Sequence, residues 1–127
     1  MQQLEPGLTA KASLTVSDDD TAITLGSGDV PVLGTPRLLA LCEAATVAAL
    51  DGQLSSGLTT VGVQVRLDHV TPSPVGRSVS AEATLDKVSG RKLMFTVSAH
   101  DERGLVAAAK VTRVVVDREH FMAKCEP

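Results

Sequence analysis

Apolar and polar residues alternate along most of this chain. Leu8, Ala10, Ala12, Leu14 and Val16 are apolar, while Thr9, Lys11, Ser13 and Thr15 between them are polar. That two-residue period predicts a strand with one buried face. Four later stretches read the same way: Thr59 to His69, Ser78 to Val88, Arg91 to Asp101 and Leu105 to Asp117. They are separated by Pro72-Ser73-Pro74, Ser89-Gly90 and Glu102-Arg103-Gly104, short connectors that predict antiparallel neighbours. Between the first strand and the others the pattern changes. Ser17 to Gly34 carries Asp18-Asp19-Asp20, Gly26, Gly28, Pro31 and Gly34, and reads as a connection over the surface or over a pocket, a candidate lid. Thr35-Pro36 then opens an apolar block running to about Leu50. Thr35 suits a helix N-cap, Pro36 the first helical position and Asp51-Gly52 the stop.

From Leu38 to Leu50 this helix holds one charged side chain, Glu43, and apolar residues fall on every face. Such a helix must be enclosed. It is too short for a bilayer, which takes about 20 residues, so the protein itself or a second copy should bury it. Strand, long helix and four strands predict an α+β fold in which a curved antiparallel sheet of about five strands wraps one central helix. The chain of 127 residues is read as a single domain over 1–127. The formal charge of −3, without a long basic run, argues against nucleic acid and an anionic membrane surface as partners. The two aromatic residues, Phe95 and Phe121, supply no base-stacking platform. Met1 to Leu14 has no basic end followed by an apolar block, so neither a secretory signal nor a transit peptide is expected, and the cytoplasm is the expected location.

Chemistry can sit at few places. Glu43 is the first candidate, because an ionised carboxylate in an Ala/Leu helix needs a compensating partner; its structural alternatives are a solvated helix edge or an interface hydrogen bond. His69 is the second. Alternation puts it on one face with Val61, Val63, Val65 and Leu67, looking at the helix, as a structural side chain or, opposite a buried carboxylate, as a base or orienting group. Arg113 shares a face with Leu105, Ala107, Ala109, Val111 and Val115, where a guanidinium must pair, an interface salt bridge being the favoured reading. Thr35 is an N-cap by residue type, yet a hydroxyl at a helix start lies where backbone N–H groups can hold an oxyanion. Cys42 reads as a small buried hydrophobe, and His100 and His120 as solvated. No Gly-x-Ser-x-Gly elbow, phosphate-cradling glycine loop or His/Cys metal spacing is present, so no metal and no separate cofactor are expected.

Order of elements and candidates together resemble the hotdog-fold acyl-CoA thioesterases, closest to their fluoroacetyl-CoA thioesterase-like branch. The resemblance covers nearly the whole chain. It rests on Thr35 and Glu43 eight residues apart on the helix, and on Gly62 and His69 seven apart on the next strand. The run His69-Val70-Thr71-Pro72-Ser73-Pro74-Val75-Gly76, the stretch from Val88-Ser89-Gly90-Arg91-Lys92-Leu93 to Asp101, and Arg113 continue it. The resemblance implies a hotdog fold and hydrolysis of an acyl-CoA thioester, with coenzyme A entering only as part of the substrate. It also implies a homodimer, with pairing into tetramers left open. Thr35, Glu43 and His69 would form the catalytic constellation near the dimer interface. Gly62 and Arg113 would lie near the acyl group, with Gly34 and Pro36 beside Thr35 at the substrate. Either Thr35 attacks to give an acyl-enzyme, with His69 taking its proton and Glu43 orienting the histidine, or Glu43 or His69 activates water directly. The segment before the helix contains no aromatic residue, so a short or medium acyl group is expected rather than a fluorinated one. Arg77, Lys87, Arg91 and Lys92 are expected to be exposed and available to the phosphates of coenzyme A. An acyl-CoA sensor without turnover and an enoyl-CoA hydratase are the alternatives from other classes.

Overall fold

The computed structural model describes residues 4–127; Met1 to Gln3, part of the stretch read for a leader, lie outside the described residues. The alternating stretches become strands β1 (Thr9–Thr15), β2 (Leu58–His69), β3 (Ser78–Ser89), β4 (Lys92–Asp101) and β5 (Gly104–Asp117), and the apolar block becomes a helix over Thr35–Ala49. The strands form one antiparallel sheet in the order β1-β3-β4-β5-β2. The β3–β4 turn needs Gly90, whose φ of 60° few side chains tolerate.

Antiparallel hairpins join β3 to β4 and β4 to β5, as the short connectors predict. Between β2 and β3 the expectation fails, because those strands sit apart in the sheet. Pro72 and Pro74 have no N–H for a ladder. Residues 70–77 instead cross the end of the sheet, from the Val106 carbonyl, which accepts the Val70 N–H, to Val16, whose carbonyl accepts from Gly76. The stretch Ser17 to Gly34, expected as plain connection, contains a single 3-10 turn, Asp18–Asp20, and a short helix, α1 (Ala22–Leu25). Thr21 caps α1 by accepting from the Thr24 N–H, and Gly26 at φ 72° stops it. The long helix is therefore α2, and a third, α3 (Arg118–Ala123), follows β5.

One face of α2, formed by Leu38, Leu41, Cys42, Ala45, Thr46 and Ala49, is buried. It meets the inner sheet face, where Val79, Leu85, Leu93, Phe95, Val97 and Val111 are almost fully enclosed. Truncating Phe95, at 1% exposure, to alanine should destabilise the fold by about 3–5 kcal/mol, read as a lower denaturant midpoint at unchanged slope. The opposite face of α2 is not enclosed within one chain: Ala40, Ala44, Val47 and Ala48 are exposed, Val47 at 52%.

Strand β2, an edge of the sheet, is irregular. Its register with β5 slips between Gly62 and Gln64, so Val63 is the extra residue of a β-bulge and is 56% exposed. Before the bulge Thr60 and Gly62 oppose the buried Val115 and Arg113; after it Val65, Leu67 and His69 oppose Val111, Ala109 and Ala107. The inward set is therefore Thr60, Gly62, Val65, Leu67 and His69, and the placing of Val61 and Val63 on that face is corrected. A slip beside His100 likewise turns Val106 inward and leaves Leu105, expected inside, 43% exposed.

Candidate active site

Helix α2 begins one residue earlier than its composition suggests. Gly34 is the N-cap, without a capping side chain, and Thr35 and Pro36 occupy the first two helical positions. Gly34 is buried against α1: a Cβ there would stand 2.9 Å from Leu25 Cδ1 and 3.2 Å from the Ala22 backbone. The Thr35 hydroxyl, expected to cap, instead meets His69 Nδ1 at 2.8 Å. Arg37 and Leu38 donate their N–H groups to the Gly34 carbonyl, Gly34 donates to Asp20, and Pro36 has none. Among the described residues, that leaves the Thr35 N–H as the helix-start donor without a backbone acceptor.

His69 ends β2 half-buried, and its Nε2 is enclosed without a hydrogen-bond partner among the described residues. Burial pushes the imidazole below its ordinary value, opposed by the backbone of Thr71. The ring is therefore neutral near pH 7 and can accept the Thr35 proton through Nδ1. An open depression lined by Val32, His69, Val70, Thr71 and Pro72 adjoins it.

The start of α2 is also fastened to the preceding segment. Arg37 Nε donates to Asp20 Oδ1 at 3.1 Å, while Asp20 Oδ2 accepts from the Ser17 N–H and hydroxyl. The Ser17 backbone bond first, then its hydroxyl and Arg37, hold the Asp20 carboxyl below its ordinary range against the effect of burial.

Eight residues beyond Thr35, about 12 Å along the helix axis, stands a second group. Glu43 Oε2 accepts from Arg113 Nη1 at 3.1 Å, with the Arg113 side chain 8% and the Glu43 side chain 33% exposed. Gly62 makes this possible, since a Cβ there would occupy the place of Glu43 Oε2. Arg113 also donates through Nε to Thr60 Oγ1 at 2.9 Å and through Nη2 to the Thr60 carbonyl at 3.2 Å.

One chain thus holds two groups, Thr35 with His69 and Glu43 with Arg113 and Gly62, and no hydrogen bond joins Glu43 to His69 among the described residues. Arg77, expected to be exposed, has a side chain only 19% exposed and faces Asp101 at 3.6 Å, whereas Lys87, Arg91 and Lys92 are exposed. Burial pushes the Cys42 thiol up to about 11, which removes it as a nucleophile. Sequence reading missed Asp20, Arg37 and Thr60. The acid lies in a segment read as surface connection, the arginine is an ordinary charge in the first turn of the predicted helix, and a threonine on a strand carries no signal of its own.

Comparison with known proteins agrees with this architecture. The sequence model of the family described as "FlK: Fluoroacetyl-CoA-specific thioesterase" matches residues 16–119. The fluoroacetyl-CoA thioesterase of Streptantibioticus cattleyicolor is 33% identical over 93 residues, 73% of this chain and 67% of that protein. A solved structure of the fluoroacetyl-CoA thioesterase FlK superimposes with a TM-score of 0.90 at 28% identity, covering 97% of this chain and 96% of that one. A Thermus thermophilus thioesterase superfamily member, at 21% identity, shares the fold with a TM-score of 0.89 over 98% of this chain and 92% of its own.

A five-stranded curled sheet around one long helix, in this company, defines a hotdog-fold thioester hydrolase. With the family model spanning most of its length, the chain belongs to the fluoroacetyl-CoA-specific thioesterase family. It is an acyl-CoA thioesterase.

Proposed function

We propose that this thioesterase hydrolyses a short or medium acyl-CoA to the free acid and coenzyme A, in a site built around Thr35, His69 and Glu43. The carrying observation is the 2.8 Å contact between Thr35 Oγ1 and a neutral His69 at the start of α2. The Thr35 N–H polarises the thioester carbonyl. Thr35 Oγ attacks the carbonyl carbon as its proton passes to His69 Nδ1. The tetrahedral intermediate then breaks its C–S bond, and the proton goes to sulfur as the thiol leaves. Water, deprotonated by the same nitrogen, attacks the Thr35 ester; the acid departs and Thr35 Oγ regains its proton. Attack by water activated at His69 or Glu43, without the ester, is the other route, and Thr35→Ala separates them: turnover near the wild-type rate would favour direct water attack.

The acyl class rests on the segment Ser17 to Gly34, which has no aromatic residue to close over a fluorinated group. A homodimer is supported by the exposed Ala40, Ala44, Val47 and Ala48 on α2 and by the unpaired outer edge of β2 beside Val63. Ala44→Glu should yield monomers by analytical ultracentrifugation and lose most thiol release; a wild-type chain that sediments as a monomer would remove the dimer. No helix among the described residues is long and apolar enough to cross a membrane, and we place the enzyme in the cytoplasm. Catalysis needs no separate cofactor in this scheme.

The deciding experiment is thiol release from acetyl- through decanoyl-, phenylacetyl- and fluoroacetyl-CoA, with Glu43→Gln alongside. Release from a short or medium substrate that Glu43→Gln abolishes supports the proposal. Preference for fluoroacetyl-CoA overturns the acyl class, and binding without release overturns turnover.

A further inference from the structure

We infer that Thr60 is a positioning residue for the carboxylate site, acting through Arg113 on Glu43. The inference rests on the functional reading above, in which Glu43 serves the reaction. Arg113 is buried on β5, 7% exposed, opposite a glycine that offers it nothing to bond. Its position is set instead by one residue two places earlier on β2. Thr60 presents two acceptors, Oγ1 to Nε at 2.9 Å and its carbonyl to Nη2 at 3.2 Å.

A guanidinium is planar and rigid, so fixing Nε and Nη2 fixes the plane and the direction of Nη1. Nη1 is the atom that reaches Glu43 Oε2, at 3.1 Å. Glu43 lies at the end of a flexible side chain on a partly exposed helix edge, 33% exposed, and Arg113 is its one side-chain partner among the described residues. The line of control runs from the Thr60 hydroxyl to the guanidinium plane to the carboxylate. The bulge at Val63 comes after Thr60 and Gly62, so both share the inward face while the strand is still regular.

The test compares Thr60→Val, which keeps the shape and the backbone carbonyl but removes the hydroxyl that accepts from Nε, with Thr60→Ser, which keeps the hydroxyl; Thr60→Ala replaces the valine variant if that does not fold. Thr60→Val is expected to lower kcat about tenfold with little change in KM, the size of one charge-assisted hydrogen bond. Thr60→Ser should recover the rate to within about twofold of wild type. In a Glu43→Gln background Thr60→Val should add no further loss, because its effect passes through that carboxylate. The Arg113 Nε–H, followed by NMR, should exchange with water about tenfold faster in Thr60→Val and return in Thr60→Ser. A lowered melting temperature with unchanged kcat would overturn the inference, as would unchanged Nε–H exchange. Should the wild-type chain release thiol from no acyl-CoA, the functional reading fails separately, and the exchange measurement still decides whether Thr60 fixes the guanidinium.

Discussion

Replacing His69 with alanine is expected to lower kcat by about 10²- to 10⁴-fold, the range of a positioned general base, while leaving the fold intact. His69 sits at the end of an edge strand, half-buried, and makes no part of the central apolar cluster, so its loss leaves the core packing in place. The pH profile tests the same assignment. A base works only unprotonated, and burial lowers the folded-state value of this imidazole below its ordinary 6.5. The acid limb of the rate should therefore have its midpoint below 6.5, where the folded ring takes up its proton. The unfolded chain, titrating at the ordinary value, binds that proton first, so this group's contribution to stability also declines as pH falls through that window. An acid limb above the ordinary value, or a His69→Ala protein with wild-type turnover, would remove His69 from the mechanism.

The second large effect is expected from Gly62→Ala. The glycine φ at this position is not positive, so the backbone accepts alanine and the effect is one of space. The new methyl would fall where Glu43 Oε2 lies and come within 3.4 Å of Arg113 Nη1. Glu43 must swing away, leaving a buried guanidinium short of one acceptor at a cost of about 1–3 kcal/mol. Turnover should fall about as far as in Glu43→Gln, and the double variant should be no worse than either single one. Thermal melts and steady-state kinetics on the three proteins decide it; independent, additive losses would show that Gly62 acts elsewhere than on the carboxylate.

What the sequence made legible depended on regular repetition. Strand period and the Pro36 and Asp51-Gly52 boundaries placed five strands and the long helix within about two residues. The faces were read correctly wherever a strand stays in register, as for Ala107, Ala109, Val111, Arg113 and Val115. They were misread at Val61, Val63 and Leu105, because a bulge inserts one residue and leaves no mark in the apolar pattern. Glu43 and Arg113 were legible as charges on apolar faces, and the structure pairs them with each other. The Thr35 contact was hidden by its own propensity, since threonine before proline at a helix start reads as a cap. Arg77 looked exposed because its partner, Asp101, lies 24 residues away in sequence at the end of another strand.

The bulge at Val63 makes the length of β2 as consequential as its composition. Gly62 and His69 are seven positions apart, an odd number, and in an unbroken strand an odd interval would send their side chains to opposite faces of the sheet. Here the single extra residue restores them to the same side. Deleting Val63, an exposed side chain that no pairing requires, would leave every candidate residue present. It would also leave the rest of the strand in regular alternation, with Gly62 and His69 six positions apart and still on the inward face, so that only the bulge is lost. What a relative must keep is therefore the parity of this interval: six positions in a regular strand, or seven with a bulge, hold the glycine and the histidine on one side, whereas seven without the bulge keep the letters of the site and lose its geometry.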